Sequence, residues 1–509
     1  MSVTCEELRA LKPIVVATIG PTNEGKTSIL RTLTGDPNFG MVNAFSGTTV
    51  RAEIQKVFYR GIAEILQLVD SPGFQTSGEI LEALTEDPEV EANGGAFGID
   101  DVLRVIPKKD DDYRHDLRAW NEVARCDIVI LVANVVEDPN QSLIRNTLNI
   151  LKNVAKPVVV AYNNVRSDDG ADETASDGAP FGDYRADWNA ILEKNGFHLI
   201  QTYDAHRRSF EDEIALFEKI AVLVRDPLQR RVLQLETEDR RAREARRIEN
   251  SRAIVAELLL DVAAYREIET NVARENWRAR LERLEETLKQ NVVRREHEAH
   301  LALLETWGFR LGVLERETLV VDDVANETDQ VFGAEARRHF KLGGGVGAAV
   351  GAAVGAVVDV GTAGLSLGGG AAFYNRRYDA KGKKLTVRPD KDVAVVLTSR
   401  AVDLIQKLQT RGKAIEDSVQ TLVSARPKRV DVPGLTGALV EFAECGEYSK
   451  MNKNDDALAA PLANALLANA TDALRKLPGV AALTKERKTR DDAIQTLAEL
   501  LKNATPDLK

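Results

Sequence analysis

Cysteine, aromatic side chains and surplus positive charge are what this chain has least of, and each shortage excludes something. The three cysteines in 509 residues, Cys5, Cys126 and Cys445, lie far apart, so neither a disulfide framework nor a cysteine-rich zinc site is expected, and a reducing compartment follows. Phe, Tyr and Trp make up only 5% of the residues, a composition that leans towards helices rich in Ala, Leu, Glu and Arg. The first thirty residues hold no basic segment followed by an apolar run and a cleavage site, so a secretory signal peptide is not expected. Lys and Arg number 68 against 79 Asp and Glu, a net charge of −11, which argues against nucleic acid as the main partner. No repeat of solenoid spacing is present.

What is there is an ordinary globular composition, 44% hydrophobic and 29% charged, long enough for about three domains. Residues 1–225 alternate short apolar runs (Ile14 to Ile19, Ala63 to Val69, Asp127 to Ala133, Pro157 to Tyr162) with polar loops and helical patterns, the rhythm of a parallel sheet covered by helices. Residues 226–340 turn to Arg, Glu, Leu and Ala with almost no Gly or Pro, and read as long amphipathic helices whose dense charge forms a solvated face. A Gly/Ala-rich stretch with a basic flank occupies 341–384, and helical patterns resume over 385–509.

The strongest local signal is Gly20-Pro-Thr-Asn-Glu-Gly25-Lys26-Thr27, which fits G-x-x-x-x-G-K-[ST] between a β-branched strand and a helix beginning near Ser28. The glycines let the chain turn its N–H groups inward around phosphates at a positive helix end. Lys26 would reach the β and γ phosphates and the Thr27 hydroxyl would ligate Mg²⁺. Glu24 and Ser28 lie within the same cradle. Asp70-Ser71-Pro72-Gly73 closes an apolar strand and fits D-x-x-G, in which the carboxylate holds Mg²⁺ and the glycine amide senses the γ-phosphate. Ser46-Gly47-Thr48-Thr49 lies between the two, where a second hydroxyl would complete the magnesium shell.

These segments, GPTNEGKTSILRTLTGDPNFGMVNAFSGTT and VDSPGF, resemble the Era- and MnmE-like branch of the TRAFAC GTPases, and more closely the bacterial family in which such a domain is fused to a helical domain called DUF3482. RSFEDEIALFEKI and the Gly/Ala-rich segment carry the resemblance through most of the chain. It implies a GTPase with P-loop residues Gly20, Gly25, Lys26 and Thr27, switch I Thr49 (or Thr48), and switch II Asp70 and Gly73. The expected fold class is therefore an α/β P-loop NTPase, a parallel sheet with helices on both faces, followed by an all-α domain with a glycine-zipper helical hairpin.

Three details depart from or refine that pattern. Phe74 follows the D-x-x-G glycine where Ras-type enzymes place a water-orienting glutamine. Asn23 stands where similar enzymes hold K⁺, giving two readings, a K⁺-stimulated site or a side chain that bonds its own loop. In place of N-K-x-D the chain has Asn163-Asn164-Val165-Arg166, with Asp168 and Asp169 too far along and Tyr203-Asp204-Ala205-His206 where S-A-K is expected. Asn163 is read either as a base contact or as a strand-end cap. The segment 74–120, rich in acidic and glycine positions, reads as a mobile insertion after switch II.

Gly343, Gly347, Gly351 and Gly355 recur every four residues beside Val346, Val350 and Val354, a groove-and-ridge pattern suited to close helix packing. Val and Leu at about −0.3 to −0.6 kcal/mol each are largely offset by Asp359 at about +2.5 to +3.5, so insertion by this segment alone is marginal. Two readings stand: a hairpin that contacts a membrane with help from Arg376, Arg377, Lys381, Lys383 and Lys384, or a small-residue hairpin buried in the helical domain. The sequence thus leads to a cytoplasmic GTP/GDP switch, peripheral to or hairpin-inserted at the inner membrane, with Mg²⁺ and K⁺ as ions and a membrane, a protein or a second copy as partner. Its rivals are an Era-like RNA-associated GTPase and a nucleotide-gated scaffold with little turnover.

Overall fold

A computed structural model describes residues 3–34, 39, 53–165, 183–205, 207–273, 275–309, 331–332, 339, 364–366, 374–379, 381, 383–411, 427–435, 437–439, 451, 489–506 and 508. The chain divides into two compact units, Met1–Glu244 with Gln409–Asp417, and Ala245–Leu408 with Ser418–Lys509.

In the first unit a six-stranded sheet runs in the order β2-β3-β1-β4-β5-β6. The four apolar runs read from sequence become β1 (Ile14–Ile19), β3 (Ala63–Asp70), β4 (Ile128–Asn134) and β5 (Val158–Asn163). Their near-continuous burial is what a strand covered on both faces requires. The expected parallel sheet is corrected at one edge: β2 (Glu53–Tyr59) pairs antiparallel with β3, so the sheet is mixed. A short β6 (Ile200–Thr202) closes the other edge in parallel. One face packs α1 (Cys5–Ala10), α2 (Lys26–Thr34), α9 (Phe210–Leu223) and the start of α10 (Pro227–Ala264) through Leu30, Phe217 and Leu233. The opposite face packs α3 (Ser77–Glu86), α4 (Pro88–Ala92), α5 (Ile99–Val105), α6 (Arg114–Arg125), α7 (Ser142–Val154) and α8 (Arg185–Lys194).

The segment 74–120 is the second correction. It is folded as α3, α4, α5 and most of α6, with Ile80, Leu84, Val102 and Trp120 buried in the sheet's core. Asp87 explains one of its turns: its carboxylate accepts from Glu89 and Val90 N–H to cap α4, with Pro88 at the first helical position.

The second unit is rich in helix, as expected. The remainder of α10 packs against α11 (Trp277–Thr306), with Asp261 bonded to Arg295 and Ser251 to the Trp307 indole, a spacing that makes the two antiparallel. With α12 (Lys391–Thr410) and α13 (Arg490–Ala504) they enclose one apolar core containing Leu259, Leu288, Leu404 and Leu497. The all-α expectation needs an addition, because β7 (Glu267–Glu269), β8 (Gly364–Ser366), β9 (Tyr374–Asp379) and β10 (Lys384–Pro389) form an antiparallel sheet in the order β7-β10-β9-β8. Residues 364–366, read from sequence as part of a helical hairpin, are thus strand, and the basic flank is the β9–β10 hairpin. The glycine repeat at 343–355 lies outside the described residues. Among the described residues no helix is long and apolar enough to cross a membrane.

Candidate functional site

Parallel register brings the C-terminal ends of the strands together. Thr18 pairs with Asp70 and Asn134 with Asn163, so Gly20, Asp70, Asn134 and Asn163 gather at the edge where open α/β sheets bind ligands. From β1 the chain turns through Gly20 to Gly25 and enters α2 at Lys26, aiming the unsatisfied N–H groups of a helix start at this edge. Two glycines are required by the turn itself. Gly20 has φ +149° and a Cβ there would sit 2.8 Å from the Val132 carbonyl oxygen. Gly25 has φ +86° and backs directly onto the Asn163 amide nitrogen. Asn23 also takes a positive φ, 70°, and its side chain is exposed.

Lys26 is 7% exposed and its ammonium donates to the carbonyls of Gly20 (3.2 Å) and Pro21 (2.6 Å). Burial pulls this amine down to about 8, with Asp70 and Glu24 opposing the shift. The Thr27 hydroxyl donates to Asp70 Oδ2 at 2.5 Å, and the Asp70 carboxylate is fully buried at the end of β3. Two hard oxygen donors from separate motifs therefore meet at one point, the donor set that Mg²⁺ takes from a protein while keeping most of its waters. Ser28, the next residue of α2, is 7% exposed. Thr48 and Thr49, which the sequence assigns to the same ion, lie outside the described residues, as do Arg166, Asp168, Asp169 and His206.

The D-x-x-G segment lies against the P-loop. The Phe74 N–H donates to Gly20 O at 3.1 Å, and a Cβ added to Gly73 would sit 2.5 Å from Thr22 N and Cα, so backbone meets backbone with no room for a side chain. Asn163 sits where the asparagine of N-K-x-D is expected. Its amide nitrogen donates to Glu24 O (2.9 Å) and its oxygen accepts from Ala205 N–H (3.0 Å), so it ties the P-loop to the loop after β6. Asn164, in the left-handed region at φ 57°, donates to Asn134 Oδ1 at 2.9 Å.

Two residues of the site, Asp116 and Trp120, escaped the sequence reading, and the burial of a third, Glu24, did so too. Glu24 is 1% exposed. Burial first and the nearby Glu137 second push its pKa to about 8, against the pull of Lys26 and the Asn134 backbone. Asp116 on α6 accepts from the Gln75 and Thr76 N–H groups, and Trp120 stacks on Phe74 at 4.7 Å between ring centroids. Neither is visible in sequence, because each acts on a segment some forty residues earlier in the chain.

A glycine-lined loop at a helix start, a buried lysine and a Thr–Asp pair joining that helix start to a strand end define a P-loop nucleotide hydrolase. Residues 15–164 match the family model described as 50S ribosome-binding GTPase, so the first unit is a GTPase domain. Residues 189–457, more than half of the chain, match the domain of unknown function DUF3482, and the protein belongs to that family. A search of curated proteins finds no match. Solved structures similar to it include Aquifex aeolicus Era bound to GDP and aluminium fluoride, at 17% identity over 38% of this chain and 52% of that one with a TM-score of 0.25. The G domain of the T. maritima FeoB iron transporter is 23% identical over 38% of this chain and 89% of its own, with a TM-score of 0.21. LeoA, a bacterial dynamin GTPase from ETEC, is 12% identical over 97% of this chain and 91% of its own, with a TM-score of 0.23. The chain thus spans about half the length of the Era chain it matches.

Proposed function

We propose that this GTPase is a Mg²⁺-dependent switch whose nucleotide state is passed to the helical DUF3482 unit and from there to a membrane surface. The observation that carries the first half is the Thr27–Asp70 contact of 2.5 Å beside the buried Lys26 ammonium. Thr27 and Asp70 would hold Mg²⁺, and when bound the ion neutralises charge on the β and γ phosphates. Lys26, released from the Gly20 and Pro21 carbonyls, would pair with the same phosphates. Gly73, packed backbone to backbone against Thr22, would read the γ-phosphate through its amide. K⁺ at Asn23 belongs to the proposal on the strength of the loop position alone; equal turnover in K⁺ and Na⁺ at matched ionic strength removes it.

Guanine preference is part of the proposal. Asn163 would serve it indirectly, bracing the P-loop through Glu24 O and the loop after β6 through the Ala205 N–H, and the base contact itself is left to the test that follows. Nucleotide competition is the test: GTP displaces a fluorescent guanine nucleotide at least tenfold more effectively than ATP if the site discriminates as a single well-made polar contact allows. Phosphate release that is equal in wild type and Lys26→Ala overturns hydrolysis at this site and favours the scaffold.

The second half rests on the β9–β10 hairpin, where Arg377, Lys381, Lys383 and Lys384 are all exposed. Such a cluster suits anionic headgroups, which supports our proposal of a location at the cytoplasmic face of the inner membrane.

A further inference from the structure

The residues that follow the D-x-x-G glycine are held from two sides. On one side Phe74 N–H is bonded to Gly20 O and Pro21 bridges Phe74 in parallel, so the segment lies along the P-loop. On the other side the fully buried Asp116 carboxylate receives both the Gln75 and the Thr76 N–H, each within 3.2–3.3 Å of both oxygens. One helical turn further along α6, Trp120 stacks on the Phe74 ring, and both rings are completely buried. Among the described residues the Trp120 indole N–H has no hydrogen-bond partner. Stacking and packing alone therefore fix its orientation, and a shift of Phe74 changes what surrounds it. Ala119 and Val123 anchor α6 in the core of the sheet.

We propose that Asp116 and Trp120 are positioning residues that couple Gly73 to α6, so that entry of a γ-phosphate between Gly73 and the P-loop is read out as a movement at Trp120. The inference deepens the nucleotide reading and rests on it. Asp116 acts through the Gln75 and Thr76 amides: a carboxylate there satisfies two adjacent N–H groups at once and fixes the direction in which the chain leaves Gly73. Asparagine keeps the shape, retains one acceptor and turns an N–H₂ group towards two donors. The variant Asp116→Asn thus loosens the clamp without opening a cavity.

The test combines calorimetry, turnover and tryptophan emission on the full chain. Emission of wild type minus that of Trp120→Phe isolates Trp120 from Trp188, Trp277 and Trp307. A non-hydrolysable GTP analogue changes that difference and GDP does not. In Asp116→Asn the analogue-dependent change is lost and kcat falls about tenfold, while KM and GDP affinity stay within about threefold of wild type, the pattern of an interaction that matters only beyond binding. A purely structural role for Asp116 instead weakens GDP binding along with turnover, and that result overturns the proposal. So does an analogue that binds by calorimetry without altering Trp120 emission, or Asp116→Asn turning over at the wild-type kcat. Binding of neither nucleotide to wild type overturns the nucleotide reading itself, and this inference with it.

Discussion

Glu24 shows how a single P-loop position departs from its motif. The pattern leaves this place open, and the chain fills it with a carboxyl group that is nearly sealed from solvent and titrates near 8. In the unfolded chain the same group titrates near 4.5. The native state therefore holds a proton that the unfolded state releases, and the advantage of the protonated carboxyl is complete below about pH 4.5 and lost as pH rises through 8. Between those limits this one group lowers stability by at most about 1.4 kcal/mol per pH unit. Glu24→Gln removes the slope. Denaturant unfolding of wild type and variant at pH 5 and pH 8 is expected to show the variant gaining on the order of 3 kcal/mol relative to wild type over that interval. Equal pH dependence in the two proteins means that Glu24 is charged in the native state. The core of the P-loop was legible in sequence because G-x-x-x-x-G-K-T is local: its spacing, the strand before it and the helix after it lie in one short stretch. The burial of Glu24 was not legible, since it depends on β4 and the loop carrying Glu137, more than a hundred residues away.

At the scale of elements, apolar runs transferred to structure and polar elements did not. β1, β3, β4 and β5 are buried on both faces and stand out in sequence, whereas β2 buries only Val57 and Tyr59, and β9 reads Tyr-Asn-Arg-Arg-Tyr-Asp. Strands this polar carry almost no periodic signal, and pairing with β3 and β10 decides them. The charged helices are a related case. The reading of their charge as a solvated face is corrected where α9 meets α10: Glu213 is shared by Arg208 and Arg240, Glu236 also holds Arg240, and Arg240 lies over the Phe217 ring at 4.2 Å. The same construction recurs between α11 and α12, where Arg400 donates to Glu296 at 2.6 Å with both side chains within 2% of full burial. Removing one member of such a pair strands the other in the core. Arg400→Ala is expected to cost about 3–5 kcal/mol in denaturant unfolding, while the double change Arg400→Met with Glu296→Met recovers most of it. A loss below about 1 kcal/mol for the single variant, the range of an exposed pair, rules out a buried pair at this site.

Charge at the scale of the whole molecule is a poor guide to what its surface meets. The net value of −11 set the sequence reading against RNA, yet it averages over a β9–β10 hairpin where four cationic side chains stand exposed within eight positions. A fifth, Arg376, is already engaged by Glu285 at 2.6 Å. Screening makes distant acidic residues nearly irrelevant to such a cluster at physiological salt, where fields fall off within about 8 Å. Lipid headgroups would be worth about 1 kcal/mol for each of the four, so the hairpin alone supplies roughly 4 kcal/mol, nearly three orders of magnitude in partitioning. Charge-driven contact and insertion of the glycine repeat then separate cleanly. Flotation with anionic vesicles is expected at low salt and is expected to disappear in about 0.5 M salt, where fields decay within a few ångströms. Replacing Arg377, Lys381, Lys383 and Lys384 by Gln abolishes it with the glycine repeat intact. Flotation that survives both salt and the four substitutions assigns the contact to the glycine repeat instead. Wild type that ignores vesicles but binds RNA in a salt-sensitive way gives the same hairpin to phosphates of another polymer, and overturns the membrane half of the proposed function.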